Sequence, residues 1–231
     1  MAISGVLFDF SGTLMRIEPS PVWLGTVLRR AGISLPAAER DRLAAALDQA
    51  GALPGGSLPR EVPPPLAGLW RDRDRDAARH RELFTALARQ VPLPDPALYD
   101  ALYDRHMEAD AWHPYPDAAR VLRELRERGV GVAVVSNIGW DLRPVLAAHG
   151  LSDYVDAYAL SYEHGMVKPE PGLFAAACEA LGVAPGQALM VGDSVPADGG
   201  AAALGCAVHF VEPLPVEQRA TALLPVLERA G

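Results

Sequence analysis

Short apolar segments rich in β-branched residues recur along the chain, each bounded by turn residues. Such segments are typical of short buried strands. They predict five strands, at residues 3–8, 130–135, 155–160, 188–191 and 207–211. Between the later strands, apolar positions recur at helical spacing, which predicts amphipathic helices at 116–128, 140–149, 171–181 and 197–204.

A glycine follows each of these helices: Gly129, Gly150, Gly182 and Gly205. Glycine tolerates the left-handed backbone with which many helices end. The alternation of strand and helix predicts a parallel α/β sheet covered on both faces. In such a sheet, ligands bind at the carboxyl ends of the strands.

Residues 15–112 break this alternation. They show helical periodicity at 26–31, 37–49, 66–90 and 96–109, with no convincing strand. We interpret this stretch as a helical insertion after the first strand, and its Pro- and Gly-rich segment 51–66 as a loop. The run RDRDRDAARHR pairs Asp72 with Arg75 and Asp76 with Arg79 at i,i+3 spacing, which favours a solvated helix face.

Composition narrows the function classes. A formal charge of -8 argues against nucleic acid as a partner, because binding to a phosphate backbone relies on clustered cations. The six histidines lack metal-binding spacing, so we expect them on the surface or in packing roles. Cys178 and Cys206 are expected to be buried thiols, and Trp23, Trp70 and Trp112 to be core residues. No secretory signal or bilayer-length apolar stretch is evident, which favours a cytoplasmic protein without a membrane partner.

Chemically capable side chains stand at successive predicted strand ends. Asp9 follows the first strand, Ser136 follows the second, and Asp193 follows the fourth, with Asp198 five residues later. Lys168, the only lysine, precedes a predicted helix start after the third strand. Two carboxylates at one sheet edge repel each other unless a cation lies between them, and oxygen ligands suit Mg²⁺.

Each residue alone has an ordinary structural interpretation. A strand-end Asp or Ser commonly caps a helix or a turn. The ordered combination of acid, hydroxyl, cation and second acid is more specific. It predicts an anion site with a metal, in which Ser136 and nearby main-chain N–H groups face the anion.

These motifs resemble those of the haloacid dehalogenase-like hydrolases over nearly the whole chain. The first motif reads Asp9-Phe10-Ser11-Gly12-Thr13, and the others are matched by Ser136, by Lys168 and by Gly192, Asp193 and Asp198. The resemblance implies a Rossmann-like three-layer α/β/α core with a parallel sheet and an inserted all-helical cap domain. The core would comprise residues 1–14 and 113–231, and the cap residues 15–112.

The resemblance also implies a mechanism, in which Asp9 attacks phosphorus and forms an aspartyl-phosphate that water hydrolyses. Mg²⁺ would bind Asp9, the main-chain carbonyl of Ser11 and Asp193, with Asp198 in support. Lys168 would orient Asp9 and neutralise phosphoryl oxygens, while Ser136 and Asn137 would bind the phosphate. The expected partner is a small phosphorylated metabolite, and the chain is expected to be a monomer or a homodimer.

One departure leaves alternatives open. The family's phosphatases carry a second Asp where this chain has Ser11, and that Asp protonates the leaving group and activates water. Three alternatives therefore remain in competition. They are a phosphohydrolase that is slow or restricted to good leaving groups, a dehalogenase-type hydrolase, and a non-catalytic or weakly active relative that binds a metabolite or a protein partner. Dehalogenases need no metal and tend not to keep the acidic pair that this chain retains. The family's phosphonate-cleaving members use a cap lysine, which this chain lacks.

Overall fold

A five-stranded parallel sheet forms the centre of the structure, a computed structural model that describes residues 2–230. Met1 and Gly231, which the predicted core includes, lie outside the described residues. The strands are β1 (Gly5–Phe8), β2 (Met15–Ile17), β3 (Trp112–Pro114), β4 (Gly131–Ser136), β5 (Ala157–Leu160), β6 (Ala188–Gly192) and β7 (Ala207–Phe210). The order in the large sheet is β5-β4-β1-β6-β7, which confirms the five predicted strands and their parallel arrangement.

Helices cover both faces of this sheet and also make up the insertion. The helices of the insertion are α1 (Ser20–Arg30), α2 (Ala37–Gln49), α3 (Ala67–Asp72), α4 (Ala77–Ala88) and α5 (Leu98–Arg105). The later helices are α6 (Ala118–Glu127), α7 (Arg143–Ala148), α8 (Ser161–His164), α9 (Pro171–Leu181), α10 (Val195–Asp198) and α11 (Pro225–Arg229). Along β1, Leu7 packs in the apolar cluster that contains residues of α9, whereas Val6 and Phe8 pack in the cluster that contains residues of α6. The sheet is therefore the middle of three layers, as the resemblance implies.

Two short strands correct the prediction that residues 15–112 hold no strand. β2 and β3 pair antiparallel, with Ile17 opposite Trp112, and they connect the sheet to helices α1–α5. Each has three residues, too few to show an alternating pattern, and the partners lie far apart in sequence. The apolar core on the α6 face continues into this helical insertion through residues such as Trp23 and Leu83. The division into separate core and cap domains stays a prediction.

The helix predicted at 66–90 is broken, which also corrects the interpretation of the RDRDRD run. Asp76 adopts extended backbone and caps α4 by accepting a hydrogen bond from the Arg79 main chain. The expected i,i+3 pairs form, at 3.4 Å for Asp72 with Arg75 and 3.2 Å for Asp76 with Arg79. Asp74, however, is buried, so the run is not a solvated face throughout.

Two further expectations are confirmed and one helix is corrected. The four glycines predicted to end helices all have positive φ, and Cys178 and Cys206 are buried free thiols. The helix predicted at 197–204 is divided into α10 and a 3₁₀ helix, Gly199–Leu204. Within residues 2–230, no helix combines the length and the apolar character needed to cross a membrane.

A buried ion pair ties together the two ends of the helical insertion. Glu18 follows β2, and Arg105 ends α5. The guanidinium donates to both carboxylate oxygens, at 2.8 and 2.9 Å, and both side chains are only 3% exposed. The Glu18 main chain also donates to the carbonyl of Ala111, at 2.8 Å. These contacts hold the start of the insertion, after β2, close to its end, before β3.

Candidate active site

The carboxyl edge of the sheet brings the predicted residues together. Asp9 follows β1, Ser136 ends β4, and Asp193 follows β6. Because β1 lies between β4 and β6 in register, these three positions are neighbours on one edge. Lys168 reaches the same edge from the loop between α8 and α9, and all four residues line one cavity.

Lys168 is buried between two carboxylates. Its ammonium donates to Oδ1 of Asp9 and to Oδ1 of Asp198, each at 2.6 Å. The second oxygen of Asp198 accepts from the Ser194 main chain at 2.9 Å, so both oxygens of Asp198 are engaged within the protein. Burial by itself lowers the pKa of Lys168, but Asp9 and Asp198 outweigh it and raise that pKa. The amine is therefore a fixed positive charge beside Asp9.

The Asn137 side chain holds the main chain of Lys168. It accepts from the Lys168 N–H at 2.7 Å and donates to the Lys168 carbonyl at 3.0 Å. The amide has a second N–H beyond these two hydrogen bonds, so the phosphate contact of Asn137 stays a prediction. In this structure its side chain positions the lysine.

Three carboxylates provide oxygen atoms suited to a divalent cation. Ligand atoms of Asp9, Asp193 and Asp198 all lie within 4.8 Å of one another. Burial, followed by the charges of Asp198 and Asp193, raises the pKa of Asp9 to about 7 against the opposing effect of Lys168. Burial and Asp198 also raise the pKa of Asp193. The positive charge of Lys168 does not balance the negative charge of three carboxylates. A negatively charged cluster of oxygen ligands of this kind fits Mg²⁺.

The turn after Asp9 requires glycine at one position. Gly12 has a φ of +84°, and a Cβ atom on it would lie 2.5 Å from Oδ2 of Asp193. Its N–H donates to the Met15 carbonyl at 2.7 Å, closing the turn. Asp193 thus packs directly against the turn that follows Asp9. Ser11, in the same turn, is half-buried and lines the cavity.

Arg219 stabilises this turn from a distant part of the sequence. The buried guanidinium donates to the carbonyls of Gly12 and Thr13 and lies over the Tyr115 ring. No local sequence motif marks Arg219, because its partners precede it by about two hundred residues.

An aromatic wall lines the cavity, whose volume is about 460 Å³. The ring centroids of Phe10 and Trp112 are 4.6 Å apart, and Trp140 lies 6.2 Å from Phe10 and 6.1 Å from Trp112. Trp70 also lines the cavity. Trp112 is buried, as expected of a core residue, but Trp112 and Trp70 also face the ligand space, and Phe10 and Trp140 were not foreseen there.

The segment 51–66, predicted to be only a connecting loop, supplies another part of this wall. Several of its residues between 51 and 58 line the cavity. Gly55 has positive φ, and a Cβ atom on it would lie 2.8 Å from the Trp112 ring. Only a residue without a side chain lets the loop approach the aromatic wall so closely.

Two buried histidines from the insertion complete the cavity. Nδ1 of His80 is 2.8 Å from the Tyr103 hydroxyl, whereas Nδ1 of His106 contacts the Tyr103 carbonyl oxygen. Nε2 of His106 is buried and has no hydrogen-bond partner among the described residues. Burial lowers the pKa of His106 to about 3 and also lowers that of His80, so both rings are neutral at pH 7. Asp74 lines the cavity near His80. No sequence motif marks the positions of His80, His106 and Asp74 in the cavity.

Comparison with known proteins identifies relatives of two activities. The family described as haloacid dehalogenase-like hydrolase matches residues 3–205. A ribulose-1,5-bisphosphate 5-phosphatase of Halopiger xanaduensis is 34% identical over 152 residues, 62% of this chain and 63% of that protein. An (S)-2-haloacid dehalogenase 4A of Burkholderia cepacia is 32% identical over 154 residues, 61% of this chain and 66% of that protein. The structure of a HAD phosphatase from Thermococcus onnurineus is 28% identical, with a TM-score of 0.57, and covers 91% of this chain and 86% of that chain.

The matches to the curated relatives are partial. The chain spans less than two thirds of the length of the phosphatase and dehalogenase relatives. The solved phosphatase structure, in contrast, aligns over 91% of this chain.

Proposed function

Because the chain belongs to the haloacid dehalogenase-like hydrolases, we propose that it hydrolyses a small phosphorylated metabolite, with Asp9 as the nucleophile and Mg²⁺ as cofactor. The observation that carries this proposal is the contact of Lys168 with Asp9 and Asp198, two of the three carboxylates in the acidic cluster. Relatives named as phosphatases support it.

Each residue has a role in this proposal. Asp9 attacks phosphorus and forms an aspartyl-phosphate, which water then hydrolyses. Lys168 holds the Asp9 carboxylate and neutralises phosphoryl oxygens, while Ser136 and the Asn137 N–H donate to the phosphate. Asp9, Asp193 and the Ser11 carbonyl would hold Mg²⁺, with Asp198 in support, and the metal would offset repulsion between carboxylate and phosphate.

Ser11 limits the range of this activity. A serine hydroxyl is a poor acid near neutral pH, and general acid–base help is typically worth about 10² to 10⁴ in rate. Hydrolysis of esters with weakly acidic leaving groups is therefore expected to be slow. Reactions whose leaving group departs as a stable anion are least affected.

Phosphate release from a panel of phosphate esters, with Mg²⁺ and with EDTA, tests the proposal. The wild-type protein is expected to release phosphate only with Mg²⁺, and Asp9→Asn is expected to abolish release while keeping the size of the side chain. The exposed Asp153→Asn serves as a control and is expected to retain the rate. Equal release by Asp9→Asn would show that another group is the nucleophile.

Dehalogenation is a second candidate, favoured by the Burkholderia relative and by the absence of an acid at Ser11. The cluster of Asp9, Asp193 and Asp198 argues against it, because attack on carbon needs no metal. Halide release from 2-chloropropionate in EDTA, without phosphate release from any ester, would replace the first proposal with this one. Absence of both reactions would favour a ligand-binding protein.

A further inference from the structure

We propose that the phosphate ester hydrolysed at this site is an aryl phosphate whose ring carries a hydrogen-bond donor, and that His106 accepts this hydrogen bond. The inference rests on the proposed phosphohydrolase function and names its substrate class. It combines the aromatic wall, the unpartnered nitrogen of His106 and the absence of an acid at Ser11.

The aromatic wall begins beside the nucleophile position. Phe10 is the residue after Asp9, its ring packs on Trp112, and Trp140 completes a group of three rings. These rings and the Asp9 carboxylate line the same cavity. Aromatic pairs favour offset or edge-to-face contacts, so a flat ring attached to the phosphate would find suitable surfaces here.

His106 adds a specific polar contact to this wall. Its Nδ1 faces the Tyr103 carbonyl oxygen and therefore carries the ring proton, which leaves Nε2 as an acceptor. Nε2 is buried and has no partner within residues 2–230. The ring lines the cavity, with its plane nearly perpendicular to Trp140, at 87°. Buried acceptors are almost always satisfied, so a donor on the bound ligand is the partner expected for Nε2.

Ser11 agrees with an aryl leaving group. When Asp9 forms its bond to phosphorus, the bond from phosphorus to the ester oxygen breaks, and the electron pair stays on that oxygen. A phenol has a pKa near 10, as in tyrosine, so a phenolate leaves as an anion and takes its proton from water afterwards. An alkoxide is far more basic and needs a proton as it leaves, which Ser11 does not supply. Water then attacks phosphorus, the bond between Asp9 and phosphorus breaks, and one proton passes to solvent.

Matched pairs of substrates test the two parts of the proposal. Phenyl phosphate and benzyl phosphate share a ring but differ in leaving-group acidity. Wild type is expected to prefer phenyl phosphate by about 100-fold or more in kcat/KM. Ser11→Asp is expected to raise kcat/KM for benzyl phosphate and so to reduce this preference by about 10²- to 10⁴-fold. Equal rates on both esters by wild type would overturn the aryl assignment.

The donor is tested with 4-hydroxyphenyl phosphate and 4-methoxyphenyl phosphate. His106→Phe is expected to lower kcat/KM for the hydroxyl compound by about 5- to 100-fold and to leave the methoxy compound nearly unchanged. His106→Gln, which keeps an acceptor, is expected to restore part of the difference. His149→Phe is the control, because His149 contacts the Ala109 carbonyl and is not among the residues that line the cavity. Equal losses on both compounds in His106→Phe would exclude the hydrogen bond.

A binding assay separates this inference from the proposed function. The two corresponding phenylphosphonates cannot be hydrolysed, so calorimetry with Mg²⁺ reports binding without turnover. Tighter binding of the hydroxyl compound to wild type, but not to His106→Phe, supports the inference even if every ester proves inert and the phosphohydrolase proposal fails. Equal binding of both phosphonates by wild type overturns it even if esters are hydrolysed.

Discussion

The Glu18–Arg105 pair offers a quantitative test of what holds the helical insertion in place. Replacing Arg105 with Met keeps much of the apolar stem but leaves the Glu18 carboxylate buried without its partner. Breaking a buried pair from one side typically costs about 3–5 kcal/mol. Glu108 and Asp110, which Arg105 also contacts, have side chains that are 35% and 70% exposed and can be hydrated, so they add little. We therefore expect Arg105→Met to lower the free energy of unfolding by about 3–5 kcal/mol.

Urea denaturation of the parent, Arg105→Met, Glu18→Leu and the double variant measures this effect. Because buried pairs exchanged for apolar residues are often nearly neutral, the double variant is expected to lie within about 2 kcal/mol of the parent and above both single variants. Arg123→Met is the control, since Arg123 pairs with Glu127 at 3.9 Å on an exposed helix face, and it should change stability by less than about 1 kcal/mol. A loss below about 1 kcal/mol in Arg105→Met, or additive losses in the double variant, would refute the reasoning.

Two further predictions concern the site. Gly12→Ala is expected to weaken Mg²⁺ binding, measured by calorimetry, because its Cβ would displace Asp193. Gly129→Ala is the control, because Gly129 also has positive φ but no atom lies within 4 Å of the added Cβ. It should change the stability of the protein and leave Mg²⁺ affinity unchanged. Unchanged Mg²⁺ affinity in Gly12→Ala would contradict the close packing. Burial and neighbouring carboxylates raise the pKa of Asp9 to about 7 in the folded chain. Between about pH 4 and pH 7 the folded chain therefore binds one more proton than the unfolded chain does. The metal-free protein should accordingly lose stability as pH rises through that window. Mg²⁺ binds the deprotonated carboxylate, so it should raise the melting temperature more at about pH 8 than at about pH 5.5, and equal shifts would count against metal binding at Asp9.

The sheet and the residues at its edge could be predicted because their signals are local. Asp9 and Asp193 each follow an apolar strand, and parallel strands bring such ends together. Lys168 was conspicuous as the single lysine. Each of these signals lies within a few residues of the position that it marks.

The wall of the cavity could not be predicted, because it depends on contacts between distant segments. Nothing near His106 in sequence indicates that one ring nitrogen stays without a partner. Asp74 lies in a run of alternating charges, a pattern typical of solvent exposure, and only the break before α4 allows it to be buried. Trp140 lies in the loop after β4, whose end is predicted to bind phosphate. Its contact with Phe10 depends on the relative positions of this loop and the loop after β1.

The hydrogen bonds of Arg219 link the turn after Asp9 to a segment beyond the residues that match the family. Chimeras that exchange this segment between relatives would therefore alter that turn even though every motif residue is retained. A tail from another protein that offers no guanidinium to the carbonyls of Gly12 and Thr13 would leave them to water. Substitutions around Arg219 thus act on the turn that positions Asp9, although they lie far from it in sequence.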